Sequence, residues 1–578
     1  MTILVGAGFR TKDRNGGGFW RGSFAVWKSP IVSPACVPIL QPLIQFAPVY
    51  VVGLVCPRPV IKRLLITHVH CDFDVSPKSY PAFAQFATRM IDPLSRFLDQ
   101  AVMGAQALLE FGTHLVNPTV RLGVTGMSNA GKTVFITALV HGLKQGGRFP
   151  VFEAMASGRV SEARLAPQPD DAVPRFDYED HVRALVLDRS WPESTRRISE
   201  LRLVIEYQSQ RAAMRTLTLD IVDYPGEWLL DLPLLDMSYE KWSAESLALS
   251  RQPPRAALAS HWHDHLRALD PLGKADEQVA LTAAALFSAY LKSCRDQQYA
   301  LSMLPPGHFL MPGDFEGSPA LTFVPLDLPD DGVAPHGSLW NMMRRRYEAY
   351  KRVIVQPFYR KHFARLDRQI VLVDVLSALN AGPEALRDLE RALATILACF
   401  SAGRKNVLNT LFSPRIDRIL FAATKADHLH RSSHDQLEAI LRRVTESALQ
   451  RAQIAGAEVD VVALAAVRAT REAMIELEHA RLPAILGTPV AGEVLGEQTF
   501  DGETEVAMFP GDLPADPDLL FSDNDAFRGL TMTSAQHADF RFLRLRPPIL
   551  ESGRDGKPSF PHIRLDRALQ FLIGDRLP

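Results

Sequence analysis

Apolar runs of strand length alternate with helical patterns along the chain from residue 118 onward. Six of these runs predict strands, at residues 120–125, 201–207, 216–222, 369–375, 418–423 and 459–464. Such alternation is typical of an α/β fold with a mostly parallel sheet. The second and third runs are separated by only eight residues, 208–215, which cannot hold a crossover helix. We therefore predict one antiparallel hairpin within the sheet.

A region of about 140 residues, 229–368, separates the third and fourth predicted strands. Apolar residues recur there at intervals of three and four in 278–293 and 340–363, on either side of a stretch rich in Pro, Gly and Asp at 304–337. This periodicity predicts a helical lobe beside the sheet. Farther along we predict a helix at 470–481, small strands at 482–510 and a docking helix at 563–572.

Residues 1–89 differ in texture from the rest, being Gly-rich and then studded with proline, without a sustained period. We predict that residues 1–89 are either disordered or the result of a start site assigned too early. In the second case Met90 is the alternative start, directly before a helix that we predict at 91–116. Seven prolines interrupt the apolar stretch 30–60, so we predict no transmembrane helix. We therefore predict that the chain is divided into five segments. These are an N-terminal extension (1–89), the first part of the α/β domain (90–228), a helical insertion (229–368), the second part of the α/β domain (369–470) and an α+β extension (471–578).

Length, charge and cysteine content limit the number of cores, the kinds of binding partner and the cellular compartment that we expect. A chain of 578 residues is too long for one hydrophobic core. With 64 Lys plus Arg against 65 Asp plus Glu, no overall field attracts nucleic acid, although peripheral membrane contact stays open. Five scattered cysteines without C-x-x-C spacing fit a reducing cytoplasm.

The strongest chemical signal follows the first predicted strand. G-M-S-N-A-G-K-T satisfies the phosphate-binding pattern G-x-x-x-x-G-K-[ST], and a helical pattern begins at its last residue. Backbone amides and the helix N-terminus would surround phosphates, Lys132 would reach the outer ones, and the Thr133 hydroxyl would ligate Mg²⁺. The predicted phosphate-binding residues are Gly126, Ser128, Asn129, Ala130, Gly131, Lys132 and Thr133.

A carboxylate at the end of a neighbouring strand must help to hold the metal. Asp223 begins D-Y-P-G after the third predicted strand, and Gly226 places an amide near the γ-phosphate without a side chain in the way. Asp374 also ends an apolar run but has no following glycine. We therefore prefer Asp223 as the metal carboxylate and keep Asp374 as its rival.

Base selection is predicted at T-K-A-D, directly after the fifth predicted strand. The Asp427 carboxylate can accept hydrogen bonds from the guanine ring N–H and amine, and the Lys425 stem can cover the purine. Thr424 stands where an asparagine is more usual. After the last predicted strand, Ala466 and Val467 lie where a backbone amide would contact the guanine oxygen.

Two further residues have two interpretations each. Thr195, ahead of the hairpin, either completes the Mg²⁺ shell or is a cap or loop hydroxyl. Glu227, after Gly226, either acts on the attacking water or is an exposed acid without a role.

A separate H-x-H-x-D pattern at His68, His70 and Asp72 resembles a zinc-hydrolase motif, but no later ligands complete it, so we predict no metal site there.

The motifs together resemble a known family. The order of Gly-Lys loop, hairpin, D-x-x-G and T-K-x-D resembles that of translation-factor-related GTPases. G-M-S-N-A-G-K-T, W-P-E-S-T-R, D-Y-P-G-E-W, A-T-K-A-D and F-P-H-I-R-L-D-R-A-L resemble the YcjX-like family of bacterial P-loop NTPases, from about residue 90 to the C-terminus. The resemblance implies a GTP-binding domain with a helical lobe and a link to stress responses. Residues 1–89 have no counterpart in it.

We therefore predict a P-loop NTPase that binds GTP or GDP with Mg²⁺ and hydrolyses GTP slowly, as a switch. The predicted catalytic residues are Lys132, Thr195, Gly226 and Glu227, and the metal ligands Thr133, Thr195 and Asp223. The alternatives are a nucleotide-gated scaffold without turnover and an ATPase. An unidentified protein client would bind through the helical insertion.

Overall fold

The computed structural model describes residues 2–12, 18–28, 118–127, 129–327, 334–398, 416–454, 456–477, 480–495, 497–521, 542–550 and 558–578. The chain divides into two units, Met1–Leu98 and Asp99–Pro578. In the first, β1 (Thr2–Lys12) and β2 (Gly18–Lys28) pair as an antiparallel hairpin. The sequence showed no sustained strand period there, because the apolar residues do not alternate. The remainder of 1–89, the predicted helix 91–116 and the H-x-H-x-D pattern lie outside the described residues.

A seven-stranded sheet forms the centre of the second unit, in the order β4-β5-β6-β3-β7-β8-β9. Every pairing outside β5 is parallel, and β5 runs against both of its neighbours. All six predicted strands are present, and the predicted hairpin is β5 with β6. The strands are β3 (Thr119–Gly126), β4 (Val160–Ala166), β5 (Ser199–Gln208), β6 (Met214–Asp223), β7 (Arg368–Val373), β8 (Arg418–Ala423) and β9 (Glu458–Ala463).

Edge strand β4 was not predicted. Its sequence V-S-E-A-R-L-A buries only Ala163, so it carries no apolar period, and pairing with β5 determines its conformation. The interior strand β7 is buried along its whole length, as expected for a parallel strand covered on both faces. Its residues alternate between two cores: Val371 and Val373 face one, and Ile370 and Leu372 the other.

Helices cover both faces of the sheet. Helix α1 belongs to one core together with the C-terminal helix, and the insertion helices belong to the other. The helices are α1 (Lys132–Gln145), α2 (Glu153–Ala156), α3 (Tyr178–Val186), α4 (Tyr239–Ser250), α5 (Arg255–Leu258), α6 (Ser260–Arg267), α7 (Glu277–Arg295), α8 (Leu339–Tyr350), α9 (Gln356–Lys361), α10 (Val375–Ala381), α11 (Pro383–Ala398), α12 (His434–Ile454) and α13 (Leu565–Ile573).

The insertion between β6 and β7 is helical, as its periodicity predicted. Side-chain caps start its main helices: Ser238 accepts from Lys241 N at α4, Asp276 from Val279 N at α7, and Ser338 from the backbone at α8. A five-residue π-helical turn, Lys351–Val355, joins α8 to α9. The Pro-rich stretch between α7 and α8 contains short 3₁₀ turns, among them Gly307–Phe309.

The predicted helix at 470–481 is wrong. Residues there form β10 (Arg471–Leu477) and β11 (Ala480–Gly487), which pair antiparallel. Pro483 lies opposite Met474, and a proline so soon after the segment disfavours a continued helix. Tertiary pairing therefore overrides the helical period. The small strands predicted nearby are confirmed as β11, β12 (Val494–Leu495), β13 (Gln498–Thr499) and β14 (Val506–Met508).

The predicted docking helix at 563–572 is confirmed as α13, with Leu565, Ala568, Leu569 and Leu572 all buried. Among the helices that the structure describes, none combines the length and the apolar content that a membrane crossing requires.

Candidate functional site

The glycine loop joins β3 to α1 at the carboxyl edge of the sheet. Asn129 (φ 62°) and Gly131 (φ 83°) have left-handed backbone conformations, which turn the chain sharply into the helix. A Cβ on Gly126 would lie 2.6 Å from the Leu372 carbonyl oxygen, so this position has no room for a side chain. Ser128 lies outside the described residues. The loop thus has the tight turn that the motif predicted.

Lys132 folds back over the loop. Its Nζ donates to the Gly126 carbonyl oxygen at 2.8 Å, and the side chain is buried. Ala130 N donates to the Met127 carbonyl oxygen at 3.1 Å, which closes the turn. The ammonium therefore lies beside the loop, with a single neutral hydrogen-bond acceptor among the described residues.

Three oxygen-bearing side chains meet next to Lys132. Thr195 Oγ1 donates to Asp223 Oδ2 at 2.7 Å and lies 3.4 Å from Thr133 Oγ1. Asp223 ends β6, Thr133 begins α1, and Thr195 lies in the loop ahead of β5. The structure therefore brings the three predicted metal ligands together.

The Asp223 carboxylate is held in an unfavourable environment. Burial raises its pKa from 3.8 to about 6, although the charge of Lys132 and the hydrogen bond from Thr195 both lower it. Its Oδ1 is buried, and no residue that the structure describes forms a hydrogen bond with it. A buried carboxylate oxygen with no partner is rare unless a ligand uses it.

This donor set fits Mg²⁺. The ion prefers oxygen ligands, commonly one or two protein groups together with phosphates and waters. Two hydroxyls and one carboxylate with a free oxygen match that preference. No cluster of three or more His, Cys, Asp or Glu suited to a metal occurs among the described residues.

Gly226 packs directly on the glycine loop. A Cβ on Gly226 would lie 2.2 Å from the Gly126 carbonyl oxygen and 2.5 Å from its carbonyl carbon. These are backbone atoms, so no side-chain movement could make room. The D-x-x-G turn and the phosphate-binding turn therefore touch, backbone against backbone.

Glu227 is buried rather than exposed, so the interpretation of an exposed acid is wrong. Only 3% of the residue is accessible, and neither carboxylate oxygen has a hydrogen-bond partner in the described parts of the chain. The reason lies in the segment that follows, which packs into the core of the helical insertion. A buried carboxylate without partners is costly, which makes Glu227 a candidate for contact with a ligand.

The segment after Gly226 is built into the insertion. Asp231 Oδ2 lies 2.7 Å from His308 Nδ1, and Asp231 Oδ1 accepts from Gly307 N at 2.7 Å. Trp228 stacks on the His308 ring with 4.2 Å between centroids. A displacement of this segment must therefore move insertion residues as well.

The T-K-x-D element adjoins the same edge of the sheet. Lys425 Nζ donates to Asp374 Oδ2 at 2.5 Å, and Asp374 also caps α10 by accepting from Ser377 N. Burial alone would raise the pKa of Asp374, but Lys425 and Ser377 outweigh it and hold this pKa below its usual range. The rival metal carboxylate thus pairs with Lys425 of the base element.

Asp427 is held by the loop after β9. Its Oδ2 accepts from Ala469 N at 2.8 Å, and its other carboxylate oxygen accepts no hydrogen bond from any residue that the structure describes. Ala426 N donates to the Leu464 carbonyl oxygen at 3.1 Å. The loop that contains Ala466 and Val467 is therefore tied at both ends to T-K-x-D.

The loop that carries Thr195 is fastened to the C-terminal extension. Trp191 Nε1 donates to the Leu545 carbonyl oxygen at 2.6 Å. A cavity of about 350 Å³ between these two segments is lined by residues including Arg189, Trp191 and Arg546. The W-P-E-S-T-R segment therefore has a partner that the sequence did not predict.

A second pocket, of about 70 Å³, lies beside the glycine loop. We call it the loop pocket; its lining includes Met127, Asn129, Glu227, Arg295 and Asp374. Arg295 ends α7, 169 residues after the start of the glycine loop, and no sequence pattern pointed to it. Only the folded insertion brings it here.

Comparison with known proteins gives a consistent picture. The model of the YcjX-like family, DUF463, matches residues 120–577. A protein of Escherichia coli (strain K12), named Ras-like GTPase YcjX, is 38% identical over 479 residues, which covers 80% of this chain and 97% of that protein. A protein of the same name from Shewanella oneidensis is 34% identical over 485 residues, covering 79% and 94% respectively.

Proposed function

The chain belongs to the YcjX-like family, and we propose that it binds guanine nucleotides with Mg²⁺ and hydrolyses GTP slowly, as a nucleotide-dependent switch. The relatives' name, Ras-like GTPase, supports this proposal. The observation that carries it is the meeting of Thr133, Thr195 and Asp223 beside Lys132 at the mouth of a glycine loop.

Each group has a role in binding. The loop amides and the N-terminus of α1 would surround the β- and γ-phosphates. Lys132 would exchange its bond to the Gly126 carbonyl oxygen for the outer phosphates. Bound Mg²⁺ would neutralise phosphate charge, and Thr133, Thr195 and Asp223 would be its protein ligands. The free oxygen of Asp223 would then gain the partner it lacks.

Hydrolysis would proceed by in-line attack of water. The water oxygen forms a bond to the γ-phosphorus while the bond from that phosphorus to the β–γ bridging oxygen breaks. The electron pair remains on GDP, and the water protons pass to the released phosphate and solvent. Lys132 and the Gly226 amide would stabilise the charge that develops on the phosphoryl oxygens.

Guanine selection would rest on Asp427. One carboxylate oxygen is held by Ala469 N, which orients the group, and the other carries no hydrogen bond from the described residues. A carboxylate accepts from the guanine ring N–H and amine, whereas adenine offers a different donor pattern.

Switching would follow from the contacts after Gly226. A nucleotide that pulls on the Gly226 amide also acts on Trp228 and Asp231, which are fastened to the insertion through His308. The conformation of the helical insertion would in this way depend on whether the γ-phosphate is present.

The first experiment measures binding. We expect the melting temperature of the wild-type protein to rise with GTP and Mg²⁺, and Lys132→Ala to abolish that rise. Lys144→Ala is the matched control, because Lys144 lies in the last turn of α1 and its ammonium faces the Tyr178 ring. No shift with millimolar GTP in the wild-type protein would refute the proposal.

The second experiment tests base selection and turnover. We expect GTP to outcompete ATP, and Asp427→Asn to lose this preference and to favour xanthosine triphosphate, whose 2-oxo group accepts a hydrogen bond that the asparagine amide can donate. Equal competition by ATP would favour an ATPase. Binding without single-turnover hydrolysis, compared with Lys132→Ala, would favour the nucleotide-gated scaffold.

A further inference from the structure

Two charged groups that line the loop pocket have no ionic partner among the described residues. Glu227 is buried, and neither of its carboxylate oxygens accepts a hydrogen bond from a residue that the structure describes. Arg295 is half-buried, and within the described residues its guanidinium has only one polar contact, from NH1 to Met311 Sδ at 3.6 Å. Both groups line the same pocket as the glycine-loop residues Met127 and Asn129. A buried carboxylate without partners is costly, which favours a polar ligand in this pocket.

The surroundings hold Arg295 at this position. Met311, which accepts from Arg295, also accepts from Trp228 Nε1 through its carbonyl oxygen at 2.8 Å. Trp228 directly follows Glu227, so the arginine and the glutamate are positioned by one set of contacts.

The chain just after α7 is anchored as well. Asp388 on α11 accepts from Ser302 N at 2.7 Å and from Met303 N at 2.8 Å, and it pairs with buried Arg255 at 2.7 Å. Ser302 lines the loop pocket too. The insertion wall of the pocket is therefore fixed by buried charges to the α/β part of the chain, which favours preorganisation.

We propose that Arg295 is a catalytic arginine supplied in cis by the helical insertion. Its guanidinium donates to the γ-phosphoryl oxygens in the transition state, and Glu227 orients the attacking water. This inference rests on the proposed GTPase function and adds a residue to it. A forked, permanently charged donor is suited to the spread charge of a transferring phosphoryl group. The bonds made and broken are those of the hydrolysis described above.

The test compares Arg295→Ala, Arg295→Lys and a control with the wild-type protein. Lys292→Ala is the control, because Lys292 lies on the same helix, three residues earlier, and is exposed. We expect both Arg295 variants to bind GTP within about 3-fold of wild type and to hydrolyse it at least about 100-fold more slowly in single turnover. The control should keep the wild-type rate.

Two further readouts separate catalysis from structure. Binding of GDP with aluminium fluoride, which mimics the transferring phosphoryl group, should weaken at least about 100-fold in Arg295→Ala while binding of GDP alone is unchanged. Added guanidinium ion should partly restore hydrolysis in Arg295→Ala and leave the control unaffected. A structural role would show neither effect.

A failure of the proposed GTPase function and a failure of the proposed role of Arg295 give different experimental results. If the wild-type protein binds no GTP, the proposed function itself is refuted, and this inference with it. If it hydrolyses GTP and Arg295→Ala keeps the wild-type rate and the wild-type affinity for GDP with aluminium fluoride, only the role of Arg295 is refuted. If Arg295→Ala melts at a lower temperature than wild type, the role of Arg295 is judged from Arg295→Lys and from added guanidinium ion. Slow hydrolysis by Arg295→Lys together with restoration by guanidinium supports the catalytic role, and the absence of both effects refutes it.

Discussion

Replacing Asp223 by asparagine is expected to stabilise the nucleotide-free protein while removing its response to Mg²⁺. Burial raises the pKa of this carboxyl group from 3.8 to about 6. A pKa higher by about two pH units corresponds to about 3 kcal/mol, at about 1.4 kcal/mol per unit. Asparagine keeps the shape and an oxygen that can accept from Thr195, but carries no charge.

The expected gain depends on pH. Because the folded-state pKa is raised, the folded protein binds more protons than the unfolded chain between the two pKa values, so wild-type stability falls as pH rises through this window. The gain for Asp223→Asn should be about 0.5 kcal/mol near pH 4 and should level off at about 3 kcal/mol above pH 7. Urea denaturation at several pH values measures it.

The matched control is Asp220→Asn on the same strand. Arg202 holds the Asp220 carboxylate with two hydrogen bonds, at 2.6 and 2.7 Å. Removing that charge leaves the arginine unpaired, so we expect a loss of about 1 kcal/mol or more. In parallel, Mg²⁺ should tighten GTP binding in wild type but not in Asp223→Asn. Equal stability of Asp223→Asn and wild type above pH 7, or a gain that does not vary with pH, would contradict the argument.

Three other substitutions follow from single contacts. Gly226→Ala should cost about 1–3 kcal/mol and weaken GTP binding, because its Cβ would lie 2.2 Å from the Gly126 carbonyl oxygen; thermal melting and nucleotide titration measure both effects. Lys425→Ala should destabilise by about 1–2 kcal/mol at neutral pH, a figure reduced for the partial exposure of the lysine. That loss should fade in acid, because Asp374, whose pKa is lowered, becomes protonated there. Trp191→Phe should cost about 1 kcal/mol or less and speed amide hydrogen exchange in residues 542–550, since it removes one hydrogen bond.

Each of these has an outcome that would contradict it. Wild-type melting and nucleotide affinity in Gly226→Ala would mean that the two turns can separate freely. A loss in Lys425→Ala that persists at pH 2 would point to packing of the lysine stem instead of its charge. Unchanged exchange in Trp191→Phe would mean that the indole does not hold the C-terminal segment.

Local sequence determined much of the fold and part of the site. Parallel strands buried on both faces are apolar runs, and antiparallel β5 alternates buried and half-buried residues, so all six were visible in the sequence. The eight-residue gap at 208–215 excluded a crossover. The glycine loop was readable because its motif is contiguous in the sequence, and Gly131 meets a local backbone requirement with its left-handed conformation. Strand β4 was not, because pairing with β5, farther along the chain, determines its conformation. The helix predicted at 470–481 was wrong because the helical period there did not show the pairing of β10 with β11.

Only the tertiary structure decided which charges meet. The sequence left Glu227 as either a catalytic group or an exposed acid, and burial by the insertion excluded the second. It offered Asp374 as a metal ligand, and the fold pairs that carboxylate with Lys425. It gave no sign of Arg295, which lies far from the glycine loop along the chain. A motif records contacts between near neighbours, whereas burial and charge pairing depend on residues that only packing brings together.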